Sequence, residues 1–499
     1  MSSTLYEWRR LRCIAACVAL LAAGCAVGPN FKTPPPPKVG GYGAETATPT
    51  VATADDAAGA AQRFRTGAAV PDEWWQLFHS EPLDALIAAA LKNNPSLQAA
   101  QAALRVAYEN TRAQRGVYFP AVAASFAASR QRQSAQLAPT PNYPAVANEF
   151  QYDLFTPEIT ISYAPDLFGL NRRTVESAHA QEEAARFQMI ATWTTLSANV
   201  VVTAVEEASL REQVHATREV LELEKRSLAI LQLRFQRGDA SGLDVAAQQS
   251  QLAQAQAALP TLVKQLRQAE DALAALTGRF PDQPPIATLS LADLHLPADL
   301  PLTLPSTLVA QRPDVRQAGA DLHAASAAVG IATAQRLPDI ELTADAGSSA
   351  LAISQVFGSG TGFWGVAASL TAPIFQGGQL LHQERAAKAA YVEAAQEYRG
   401  AVLAAFQNVA DTLVALQEDA RALQAAAAAA RAAKRTLDLS QLQLHHGYIG
   451  VFELLAAEQA YQQARMTLAQ DEANRFADTA ALYQALGGGW WHHAGFDTP

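Results

Sequence analysis

Cys25 is the residue whose setting points most directly to a chemical event. It ends the run Leu21-Ala22-Ala23-Gly24-Cys25, behind a basic cluster of Arg9, Arg10 and Arg12 and a short apolar stretch. Small side chains before the cysteine let a peptidase reach the backbone. The thiol can then take a lipid, and cleavage leaves it as the first residue. The competing reading is an ordinary signal peptide with a chance cysteine. Two other acids stand at matching places in the chain, Asp244 and Glu453, each just after a glycine-containing turn, at Gly238 and Gly447. Carboxylates there can repel one another and attract cations or arginines such as Arg234 and Arg237, or they can simply favour a helix start. Both readings stay open. His445-His446 and His492-His493 could ligate metal, but neighbouring residues on a helix point different ways, so exposed histidines with no metal are expected.

No catalytic set is present: no phosphate loop, no His-Glu-x-x-His, no nucleophile elbow. Gly358-Ser359-Gly360-Thr361-Gly362 is glycine-rich but opens no helix and reads as a loop. The expectation is a protein that is not an enzyme and needs no cofactor.

These residues must be held by a duplicated chain. Asn94-Pro95-Ser96-Leu97 is answered by Arg312-Pro313-Asp314-Val315, and Leu233 to Leu252 aligns without a gap on Leu442 to Tyr461, Leu243 falling on Phe452 and Asp244 on Glu453. Each half should therefore build half of one object. The expected divisions are a signal peptide 1–24, a lipidated extended tether 25–72, repeat 1 over 73–280, a linker 281–305, repeat 2 over 306–487 and a tail 488–499. In each repeat a β-hairpin (about 120–165 and 338–373) leads into a helical hairpin (about 169–278 and 377–486).

The β-hairpins rest on a change of period. Val122, Ala124, Phe126 and Ala128 alternate with smaller or polar neighbours, as do Ile159, Ile161 and Tyr163, then Ile340, Leu342 and Ala344, then Trp364, Val366, Ala368 and Leu370. Four such strands fit a membrane barrel wall with a wet interior, or a soluble sheet with one buried face. The stretches at 131–151 and 347–362 are the candidate outer loops. The helical hairpins rest on the absence of proline and glycine from Leu170 to about Gln236, a run that would be roughly 100 Å long as helix. Leu210, Val214, Leu221, Leu228, Leu231 and Phe235 follow a three–four spacing there, interrupted by Thr217 and Glu224; Leu416 to Leu444 repeats it. Helices of that length call for coiled-coil packing. Although 49% of the residues are hydrophobic, no apolar run reaches the ~20 residues of a spanning helix. Cysteines 13 and 17 leave with the signal and Cys25 would be acylated, so no disulfide is expected in the body. Residues 1–24 carry three Arg and one Glu, so removing them moves the net charge from −10 to −12. That sign argues against nucleic acid.

Taken together, the chain resembles the bacterial outer-membrane efflux lipoproteins, the exit ducts of tripartite drug and metal exporters. The resemblance rests on Cys25-Ala26-Val27-Gly28-Pro29-Asn30-Phe31-Lys32, Asp166-Leu167-Phe168-Gly169 with Arg172-Arg173, Gln311-Arg312-Pro313-Asp314-Val315 and Pro373-Ile374-Phe375-Gln376-Gly377-Gly378. Ala22 departs mildly, since Leu is commoner there. Ala26 rather than Asp after the cysteine implies sorting to the outer membrane. The resemblance implies a homotrimer in which four strands per chain close a twelve-stranded β-barrel, continued by a coiled-coil α-helical barrel and a mixed equatorial region. It implies passive transport, with energy from an inner-membrane pump reached through a periplasmic adaptor, and a gate at the periplasmic tip. Family members often bear an acid three residues beyond the gate acids; here Ala247 and Ala456 occupy those places. Leu243, Val245, Phe452 and Leu454 are candidate adaptor contacts, or else interior coiled-coil positions. Bare strand edges in lipid independently require closure by partner chains. A protein-secretion duct and a lipid-anchored periplasmic scaffold or adaptor are the alternatives.

Overall fold

The computed structural model describes residues 26–42, 48–53, 58–133 and 150–496. The expected signal segment 1–24, Cys25 and most of the first expected outer loop lie outside the described residues. The elements in order are β1 (Arg63–Thr66), α1 (Glu81–Asn93), α2 (Pro95–Arg115), β2 (Ala121–Gln133), β3 (Phe150–Tyr163), α3 (Leu170–Gln236), α4 (Gly242–Leu276), β4 (Asp299–Leu302), α5 (Pro305–Gln311), α6 (Pro313–Ala334), β5 (Asp339–Ser348), β6 (Gly362–Thr371), α7 (Gln379–His445) and α8 (Val451–Ala485). The duplication reaches down to element length. α3 and α7 each have 67 residues, and α4 and α8 each have 35.

The chain divides into two compact units. The first comprises residues 1–33, 106–182 and 320–396. It contains a four-stranded antiparallel sheet in the order β2-β3-β5-β6. Register decides the chemistry of its faces, because directly paired residues share a face. Val122 pairs with Ile161 and Ala124 with Ile159. Ile161 pairs with Ala344 and Ile159 with Ala346. Ala344 pairs with Val366 and Ala346 with Trp364. One face is thus apolar, and its large residues Phe126, Ile159, Trp364 and Val366 are exposed rather than packed. The opposite face carries Ser125 beside Glu158, Thr160 beside Asp345 and Glu341 beside Ser369. A soluble sheet would bury its apolar face; this one displays it.

The second unit comprises residues 34–105, 183–319 and 397–499. Its core is aromatic: Trp74 stacks on Tyr483 with centroids 5.2 Å apart, and Phe78 meets Phe476 edge-on at 6.1 Å. Leu416, Ala420 and Leu423 are fully buried along α7, and Val214 and Thr217 are buried along α3. The polar interruptions of the α3 seam are therefore inside it. Thr217 donates its hydroxyl hydrogen to Gln213 O at 2.7 Å, and Glu224 receives Gln248 Nε2. Burial raises the Glu224 carboxyl above its ordinary value despite that bond.

The expectation that residues 25–72 form an extended tether needs correcting. Thr50, Thr53, Ala58 and Gln62 are buried, and β1 pairs in parallel with β4. The expected tether and the expected linker 281–305 thus supply one strand each to a small sheet. Fully buried Arg475 binds this segment: its Nη2 donates to Thr50 Oγ1 at 3.3 Å, Ala60 O at 3.1 Å and Gln62 Oε1 at 3.1 Å. Four-residue strands carry no readable period, so the sequence pattern passes over them.

Candidate functional site: the tips of the helical hairpins

Each long helix ends in the same way. Gly238, at φ +82°, and Gly447, at φ +74°, take the left-handed conformation that stops the helix. Asp239 N–H then reaches Arg234 O at 2.8 Å and Tyr448 N–H reaches Gln443 O at 2.9 Å. These bonds satisfy carbonyls that the helix leaves open. Both are the turn glycines read from the sequence, and any β-carbon at those angles is strained.

Asp244 and Glu453 are the third residues of α4 and α8. Asp244 closes a capping box. Its backbone N–H donates to Ser241 Oγ at 3.2 Å, while its Oδ2 accepts from Ser241 N at 2.9 Å and from the Ser241 hydroxyl at 2.8 Å. The Ser241 backbone and side-chain bonds, reinforced by Arg234, hold the Asp244 carboxyl below its ordinary value. It is an anion with a local reason to be there. Glu453 has no such box, because its N-cap is Gly450, and a β-carbon on Gly450 would lie 2.9 Å from Glu453 Oε2. The two acids are equivalent in sequence and different in setting.

Arg234 joins the tips. Its guanidinium lies 5.5 Å from the Phe452 ring centroid, so the end of α3 meets the start of α8. Of the candidate contact residues, Leu243 is 78% exposed, while Val245, Phe452 and Leu454 are half-buried. Tyr448, which the sequence reading did not single out, is displayed as fully as Leu243. A turn position between two helices was its one available signal. His445 and His446 are exposed, with rings 5.5 Å apart. Among the described residues no group of three metal-ligating side chains occurs.

A second acidic pair escaped the sequence reading. Asp478 on α8 and Asp419 on α7 come into hydrogen-bond contact, and burial followed by that contact pushes the Asp478 carboxyl up to about 7. The native state therefore keeps a proton that the unfolded chain releases near pH 4. Stability falls as pH rises through the window from about 4 to about 7, and the deficit is complete above it. Asp478→Asn is expected to stabilise by roughly 1–2 kcal/mol at pH 8, after discounting for the half-exposed setting, and to leave stability at pH 4 unchanged. Thermal unfolding of both proteins across that range checks it; curves that stay parallel at every pH would contradict it.

A family model described as outer membrane efflux protein matches residues 86–279 and 304–488. The chain belongs to that family. The match covers both repeats, including both hairpin tips and all four strands of the sheet. The pyoverdine export outer membrane protein OpmQ of Pseudomonas putida is 31% identical over 89% of this chain and 93% of its own. The toluene efflux pump outer membrane protein TtgF of Pseudomonas putida is also 31% identical, covering 96% of each chain. The crystal structure of the open state of the Neisseria gonorrhoeae MtrE outer membrane channel superimposes with a TM-score of 0.76 at 28% identity, over 93% of this chain and 98% of that one. Members of this family are channels of the outer membrane and not enzymes, which agrees with a sheet that displays its apolar face. Among the described residues no helix is long and apolar enough to cross a membrane.

Proposed function

We propose that this protein is the passive outer-membrane exit duct of a tripartite efflux system. It is a homotrimer that carries small molecules delivered by an inner-membrane pump through a periplasmic adaptor. One observation carries the reading: a four-stranded sheet with an exposed apolar face and a polar, acidic face continues into two 67-residue helices. A wall that is apolar outside and wet inside suits a pore in lipid. Among the described residues, the edges of β2 and β6 have no strand beside them in the chain's own sheet. Pairing β6 of one copy with β2 of the next, three times over, removes every open edge and gives the twelve-stranded barrel. Lipid on Cys25 would anchor the same molecule, and Ala26 supports outer-membrane sorting. The relatives OpmQ and TtgF are named for pyoverdine and toluene, chemically unlike cargoes, at the same identity to this chain. This supports a duct whose cargo is chosen by the pump.

The reading is tested by purified trimer in planar bilayers and by export in cells lacking the native duct. Ion-conducting pores with restored efflux of a dye or drug are the expected result; a protein that never conducts in any opened variant would exclude it.

The proposed gate is the pair of hairpin tips that carry Asp244 and Glu453, with Arg234 beside Phe452. Three copies put six carboxylates around one narrow end, a ring that would concentrate cations. Replacing Asp244 and Glu453 together by Ala is expected to raise resting conductance and to weaken block by multivalent cations. Ser241→Ala provides the control: it removes the capping bond but keeps both charges, and conductance should then change little. Leu243 and Tyr448, the most displayed apolar residues of the tips, are the proposed adaptor contacts, with Val245, Phe452 and Leu454 behind them. If conductance and cation block of the double variant equal those of the parent, the acids serve only as helix starts.

A further inference from the structure

Two of the sequence motifs behind the family resemblance are each other's partners. Val27 N–H donates to Phe168 O at 2.9 Å. Arg173 is 3% exposed on its side chain, and its fork is spent on the same peptide: Nε donates to Val27 O at 3.2 Å, and Nη2 to Asn30 Oδ1 at 2.8 Å and to Gly28 O at 3.4 Å. Its remaining arm, Nη1, donates to Glu176 Oε2 at 2.6 Å. The other Glu176 oxygen meets His323 Nε2 at 2.9 Å, and Phe31 stacks on the His323 ring with centroids 4.4 Å apart and planes 12° from parallel. Burial raises the Glu176 carboxyl, but the bonds from His323 and Arg173 outweigh it and hold it below its ordinary value.

Backbone fit is equally tight. Gly28, at φ +89°, has no space for a β-carbon, which would lie 2.4 Å from Gly330 Cα. Gly330 must itself be bare, since its β-carbon would fall 2.9 Å from Arg173 Cγ. Gly169, at φ +85°, would meet Ala26 Cβ at 2.6 Å. Arg173 also sits in the first turn of α3, where the helix dipole disfavours a cation. A buried guanidinium in that place is stabilised by acceptors from elsewhere, and here most of them are peptide carbonyls.

We infer that Arg173, Glu176, His323 and Gly330 form a receptor for the peptide Ala26–Phe31, which acts as a fixed staple between α3 and α6 and seats whether or not residue 25 carries lipid. The seated segment gives the buried Arg173 its acceptors. It also holds the start of the processed chain against Gly169, six residues beyond the end of β3 at Tyr163. Where Cys25 is acylated, as proposed above, the lipid enters the bilayer at that fixed place.

Full-length protein with spin labels at Lys32→Cys and Gln335→Cys, both exposed and both in the first unit, tests this. Labelled chains are diluted with unlabelled ones so that distances are read within one protomer. A narrow distance distribution is expected for the parent. The same narrow distribution is expected for a Cys25→Ser form exported from a cleavable, non-lipidating signal. Gly28→Val, a change on the peptide alone, and Arg173→Ala, a change on the receptor, should each lose the narrow component. A broad distribution in the Cys25→Ser form, or a narrow one retained in Gly28→Val, overturns the receptor. Mass spectrometry of the parent's N-terminus reports lipidation separately. An unacylated terminus with a narrow distribution defeats the anchor reading and leaves the staple standing.

Discussion

Val366→Arg is expected to abolish accumulation of folded protein in the outer membrane, while Ala367→Arg, its neighbour in the same strand, accumulates normally. Val366 lies midway along β6, is 75% exposed, and shares its face with Trp364, Ile159 and Phe126. An arginine near the middle of a lipid-facing band costs about 2–4 kcal/mol. In a symmetric assembly every copy carries that cost at once. Ala367 faces the other way, paired with Thr343 between Glu341 and Asp345. An arginine there enters a polar surface with two carboxylates in reach of its long side chain. Heat-dependent gel mobility and protease resistance of the membrane fraction report the outcome. Equal loss in both variants, or the reverse order, would mean that the two faces, and with them the proposed barrel wall, are wrongly assigned.

The second large effect lies in the other unit. Trp74→Ala is expected to cost about 3–5 kcal/mol, the usual range for emptying a buried aromatic site. Trp74 is fully buried, stacks on Tyr483, and meets Trp75 and Phe78 edge-on at 5.9 and 6.3 Å. Its partners come from α8 and from its own turn, so no single neighbour can move to fill the space. Trp74→Phe should recover most of the loss, because the indole N–H has no acceptor among the described residues and nothing is left unpaired by its removal. Apparent melting temperatures of the three proteins give the ordering. A loss as large for Phe as for Ala would mean that the cluster depends on indole shape and not on filled volume.

Much of this molecule is legible along the chain. A proline- and glycine-free run from Leu170 onward leaves helix as the low-energy choice, and α3 continues to Gln236, where Gly238 can turn. Alternation in Val122–Ala128 and Trp364–Leu370 sets which residues share a face once any antiparallel partner is found. Even the duplicated hairpin tips, with Asp244 answering Glu453, follow from ungapped alignment of the repeats. The candidate site was legible only as a location. That Asp244 is consumed by a capping box while Glu453 is not depends on a single difference, Ser241 against Gly450, whose effect appears only when the turn is built.

What the linear chain determined by itself was local and periodic: helix runs, strand alternation, turn glycines and the repeat that orders them. These depend on neighbours within a few residues, so the physics that selects them is written in short windows. The tertiary structure alone decided the seating of Val27 against Arg173, the grip of Arg475 on Gln62, the approach of Asp478 to Asp419 and the contact of Arg234 with Phe452. Those partners stand far apart, 146 positions in the first case and 413 in the second. A buried charge takes whichever acceptors the folded packing brings within reach, and sequence spacing carries no record of that choice.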